Sequence, residues 1–168
     1  MIALIRLALH PDDSFTYAQI LRSPFSKLDD TEIAQVLLQD NLSDPFVVTV
    51  NGFKTATLDK LDALRELFLR VAQYTKENTC AEIISKLWYD EGYRYVILHN
   101  KNYHRYLELY DYHFEIARQC DTAHNSLEVF LQQIESYMQQ ENKLDDMEIP
   151  ISLDDDDDCV KLLTVHKR

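Results

Sequence analysis

The stretch LDKLDALRELFLRV, residues 58–71, sets Leu58, Leu61, Leu64, Leu67, Phe68 and Val71 at spacings of three and four. An α-helix turns once in about 3.6 residues, so these side chains fall on one stripe that needs a core to face. A strand would scatter them over two faces. Thr57 is placed to cap this long helix, and Glu77-Asn78 to break it.

The same pattern extends in both directions. Ile2, Leu4, Ile5, Leu7, Ala8 and Leu9 predict a short buried helix stopped by Pro11. Asp12, Asp13 or Ser14 can cap a second helix, Phe15 to Leu21, ended by Ser23-Pro24. Asp29 or Asp30 caps a third, with Ile33, Val36 and Leu37 inward. Residues 41–57 hold the β-prone run Phe46 to Val50 and the turn signal Asn51-Gly52. No second clear strand exists to pair with that run, so it reads as coil.

Downstream, Thr79 and Glu82 form a capping box for a helix that buries Ile83, Ile84, Leu87 and Trp88, with Gly92 at its C-terminal end. Tyr93 to Leu98 reads as a short helix or an extended connector. Tyr103, Tyr106, Leu107, Tyr110, Phe114 and Ala117 make an aromatic stripe at helical spacing. Such a stripe can be a base-stacking platform, but a repeat sustained over four turns reads first as a core face. A last helix, His124 to Gln140, turns Leu127, Phe130, Leu131, Ile134, Tyr137 and Met138 inward. The fold expected is an all-α, irregular domain of seven or eight helices.

Composition agrees. The 168 residues are 46% hydrophobic and 27% charged, with only two glycines and four prolines, fewer than a many-stranded fold spends on turns. No run of eighteen apolar residues occurs, so no membrane span is expected, and the apolar start is too short for a signal peptide. Cys80, Cys120 and Cys159 are odd in number and about forty residues apart, which fits idle thiols in a reducing cytoplasm better than disulfides or zinc. The scattered histidines give no metal site. With two glycines forty residues apart, no phosphate loop, dinucleotide fingerprint or nucleophile elbow can be written, and no acid–base pair stands out. The chain itself has no catalytic residue to offer.

The net charge of −12 is uneven. Residues 1–143 carry −7, residues 144–158 carry −8 with no basic residue, and the last ten carry +3. The five consecutive aspartates from Asp154 lack the alternating spacing of a calcium loop and read as a solvated linker. After it, VKLLTVHKR (160–168) reads as a strand. A strand needs a ladder partner and nothing upstream supplies one, so this stub is expected to belong to a missing domain.

LLTVHK resembles the start of motif V in UvrD/Rep-like superfamily-one DNA helicases. Leu7-Ala8-Leu9-His10-Pro11-Asp12-Asp13-Ser14, followed by Ile20-Leu21-Arg22-Ser23-Pro24-Phe25, resembles the segment that opens the 2B insertion of those enzymes. The form of the second piece is closest to AddA/RecB-type helicase–nuclease subunits. His10 stands where the family usually has Asn, and the family's Arg-Gly-Ile-Gly turn is absent.

The resemblance implies a 2B-like accessory domain at 1–143, an acidic linker at 144–158 and the start of motor domain 2A at 159–168. It implies a parent that is an ATP-dependent DNA helicase or exonuclease of recombination and repair, while this piece is non-catalytic. By the same resemblance Thr164 and His166 lie beside the translocated strand, and Arg22 near duplex phosphate. ATP and Mg would be held elsewhere in the parent, with no cofactor and no metal in this segment. The implied partners are DNA, the rest of the motor and a nuclease subunit. The alternative reading is a free-standing all-α protein–protein interaction module with an acidic tail.

Overall fold

The computed structural model describes residues 1–23, 25–38, 45–48, 52–99 and 107–141. Eight helices and no strand occur among them, so the fold is all-α as expected. The linker and the strand stub at 144–168 lie outside the described residues, as do Tyr103 and Tyr106.

The first three helices are set by short-range polar signals. Helix α1, Ile2–Leu9, buries Leu4, Ile5 and Leu7. Of the three candidate caps for α2, Ser14–Leu21, Asp13 fills the role: its carboxylate accepts the Phe15 and Thr16 amides at 3.1 Å each. At α3, Asp30–Leu38, Asp29 and Glu32 exchange side-chain-to-amide hydrogen bonds of 2.8 Å, a capping box. Ile33 and Val36 are buried there, but Leu37, expected inward, is 44% exposed. Nine residues of helix reach the core along only a narrow stripe.

Helix α4, Thr55–Glu77, carries the leucine stripe, and Leu61, Leu64, Leu67, Phe68 and Val71 are buried. Thr57 does not cap it. Lys54 precedes the first turn without a side-chain cap, and the Thr57 hydroxyl donates to Glu32 Oε1 at 2.6 Å, because α3 brings a half-buried carboxylate against that turn. The segment read as coil supplies a core side chain. Phe46 is 2% exposed and meets Tyr17 and Phe68 at ring distances of 5.1 and 5.7 Å. Its φ of 68° costs a non-glycine residue about 1 kcal/mol, which the burial of a whole phenyl ring outweighs.

Helix α5, Cys80–Tyr89, has the predicted capping box, with Thr79 and Glu82 bonded both ways. Gly92 at φ 75° turns the chain into α6, Tyr93–Leu98, which is a helix rather than a connector. Helix α7, Glu108–Thr122, lies along α5. Helix α8 starts at Leu127 rather than His124, whose φ of 54° is non-helical, and runs to Glu141. Tyr137, expected inward on it, is 49% exposed.

Two packed groups result. Helix α1 sits against α2 and α4, and α7 against α5 and α8, with α4–α5 contacts between the groups. Stacking of Phe25 on the buried Tyr93, at 3.6 Å, and the Arg6–Glu135 ion pair tie them further.

Candidate functional site

Of the residues singled out from the sequence, Thr164 and His166 lie outside the described residues. Arg22 is exposed at the C-terminal end of α2, its amide bonded to Ala18 O at 3.1 Å. The pairing with Asp29 or Asp30 that would leave it merely structural is not formed among the described residues. Asp29 is instead engaged with the α3 backbone.

A cleft of about 320 Å³ lies where the start of α5 meets the end of α7, lined by Asn78, Thr79, Cys80, Asp121, His124, Asn125 and Leu127. The positive end of a helix is a ready anion site, but this one is filled from within. The Asp121 carboxylate accepts the Cys80 and Ala81 amides at 2.9 Å each, across forty residues of sequence. Cys80 and Cys120 are both buried beside it. Burial, and then the Asp121 charge, push the Cys80 thiol up to about 12, and burial raises Cys120 as well. A thiol that stays protonated at neutral pH is a poor nucleophile and a poor metal ligand. Among the described residues no group of three or more His, Cys, Asp or Glu side chains could hold a metal ion. The cleft thus joins the start of α5 to the end of α7 through the Asp121 carboxylate.

Electrostatics elsewhere are mostly internal. Lys60 pairs with Glu32 at 2.8 Å, and the hydrogen bond from Lys60, with that from Thr57, lowers the Glu32 carboxyl to about 2. Arg70 grips Glu91 through both Nε and Nη2, and the Tyr74 hydroxyl donates to the same carboxylate at 2.8 Å. Burial pushes the Glu91 carboxyl up, but these partners more than offset it and leave it lowered. Arg118 pairs with Glu115. These cations are committed to carboxylates and leave little for a phosphate backbone.

The aromatic stripe on α7 is a core face where it is described. Tyr110 stacks on Trp88 of α5 at 4.6 Å, Phe114 follows at 5.8 Å, and Ile116, Ala117 and Cys120 are buried. Exposed rings occur at several places, among them Tyr89 and Tyr95, where Arg94 packs on Tyr89 and His99 on Tyr95. The acid-free stretch from Gly92 to His99 is the signal that marks this face in the sequence.

No family model matches the chain, and no solved structure matches it. Two curated relatives do. The A subunit of the ATP-dependent helicase/nuclease from Streptococcus mutans serotype c is 26% identical over 182 aligned positions, covering 99% of this chain and 15% of that protein. The protein of the same name from Lysinibacillus sphaericus is 24% identical over 175 positions, covering 99% of this chain and 14% of that protein. The chain therefore spans about one seventh of the length of these relatives, and no helix among its described residues is long and apolar enough to cross a membrane. Along nearly its whole length it is related to one segment of the AddA-type, UvrD-like helicase–nuclease subunits.

Proposed function

We propose that this chain is the 2B-like accessory segment of a helicase–nuclease polypeptide, ATP-dependent and working on DNA in recombination and repair. Residues 1–143 form the helical domain, 144–158 the acidic linker and 159–168 the first strand of motor domain 2A. One observation carries the reading: the similarity to helicase/nuclease A subunits runs through 99% of the chain rather than through one local motif.

The residues present do not fit ATP and Mg²⁺. A phosphate loop needs clustered glycines, and Gly52 and Gly92 are forty residues apart. The anion position at the start of α5 is taken by Asp121. The nucleotide belongs to the parent motor. There Thr164 and His166 hydrogen-bond phosphate oxygens of the translocated strand without reading bases, as suits a motor that ignores sequence. Arg22, exposed beside α2, is the residue of the helical domain assigned to duplex phosphate. With a charge of −12, the segment alone binds duplex DNA weakly, and its main partners are the rest of the motor and a nuclease subunit. The parent works in the cytoplasm.

The test is the gene and the longer polypeptide. The reading frame should continue past Arg168 into a Gly-(Leu/Val)-Glu turn, with a phosphate loop several hundred residues upstream. The extended protein should hydrolyse ATP in a DNA-stimulated manner, and Thr164→Ala or His166→Ala should abolish the stimulation. Residues 1–168 alone should hydrolyse none. A stop codon directly after Arg168 would favour the free-standing interaction module instead.

A further inference from the structure

Arg94 differs from the cations already described. Its guanidinium carbon lies 5.9 Å from the centroid of the Tyr89 ring, a cation–π contact that leaves its donors toward solvent. Tyr89 is 55% exposed. At the next position on α6, Tyr95 is 64% exposed and packs its ring on the His99 imidazole at 3.8 Å. The His99 ring nitrogen is held in turn at 2.9 Å from Tyr95 O.

The Tyr89 ring is braced from the core. Tyr89 meets Tyr110 edge-on at 5.8 Å, and Tyr110 is stacked on the buried Trp88. Tyr89 is thus the outer end of an aromatic ladder that begins in the core, and Tyr95 is backed by the His99 ring, so less side-chain freedom is left to lose when a flat ligand settles on them. The local charge also departs from that of the whole chain. Glu91 is consumed by Arg70 and Tyr74. Helix α6 holds no carboxylate and one cation, Arg94, and Asp90 precedes it in the chain.

Bare rings interleaved with a cation suit bases and phosphates more than a partner protein, which would call for an aliphatic patch. Only Leu98 supplies one on this helix. Bases inside a duplex hide their faces, whereas a single strand presents them. We propose that the outward face of α6, with Tyr89, is a contact site for single-stranded nucleic acid, in which Tyr89 and Tyr95 stack on bases and Arg94 neutralises a phosphate. The site is sequence-tolerant, because every base has a π face. It rests on the functional reading above only in the class of ligand.

The experiment is fluorescence anisotropy of a labelled oligothymidylate of about twenty nucleotides with the whole 168-residue chain, at low and rising salt. The expected result is salt-sensitive binding that Tyr89→Ala and Tyr95→Ala each weaken about five- to tenfold. Tyr95→Phe should restore it, because the phenyl face is kept. Arg94→Ala should also weaken it and lower the salt slope by about 0.7, one phosphate contact on a single strand. Lys54→Ala, at the opposite end of α4 from Arg70 and its partner Glu91, should leave it unchanged. All four positions are exposed, and circular dichroism confirms that each variant is folded. No binding by the folded wild type at low salt overturns the inference. So does binding that the α6 substitutions leave untouched, or capture of a protein on this face with no oligonucleotide affinity. Binding that maps to Arg22 would end this inference and leave the helicase reading standing. Binding that maps to α6 in a chain whose gene stops at Arg168 would do the reverse.

Discussion

Asp121 does from α7 what a cap normally does from one residue upstream. Its two oxygens hold the first amides of α5, alongside the Thr79–Glu82 box. Charge-assisted bonds to part-buried amides are among the stronger polar contacts, so Asp121→Ala should cost about 2 kcal/mol. Thr79→Ala should cost about 1 kcal/mol, and chemical denaturation of the two variants separates the effects. The box was readable because its members are three residues apart. Asp121 was not, since its partners lie forty residues back and no local pattern marks an aspartate that caps another helix. Phe46 escaped for the same reason: its neighbours look β-prone, while its contacts, Tyr17 and Phe68, are remote in sequence.

Helix periods were legible wherever one face meets the core. They were less informative where a residue type serves both inside and outside. Tyrosine is the case in point: Tyr93 is buried, while Tyr89, Tyr95 and Tyr137 look outward, and spacing does not separate them. The α5–α6 corner depends on Gly92 in the left-handed region, where an added Cβ would meet nothing within 4 Å. Gly92→Ala should therefore cost about 1 kcal/mol from the backbone alone, read as a small drop in melting temperature with an unchanged circular dichroism spectrum. The α3–α4 junction predicts an acid response. Lys60 first, then Thr57, lower the folded Glu32 carboxyl to about 2 from its ordinary 4.5. The stabilisation is thus complete above about pH 4.5 and is lost as the pH falls toward 2. Thermal midpoints measured down that range should decline in the wild type, and Glu32→Gln should flatten part of the decline.

Taken whole, the molecule is acidic, and its described part is a helical body that keeps Cys80 and Cys120 inside. Cys80 and Cys120 should resist iodoacetamide at mildly alkaline pH and react once the chain is unfolded, as peptide mass mapping would report. The all-α architecture followed from the leucine stripe, the caps and the scarcity of glycine. The motor-side residues Thr164 and His166 were legible only as a resemblance, because half a strand carries no geometry of its own. The chain contains a single tryptophan, Trp88, and it is sandwiched against Tyr110 at the junction of α5 and α7. Intrinsic emission excited at the red edge of protein absorption therefore reports on that one seam. A shift in its colour would time the parting of two helices without any label being attached.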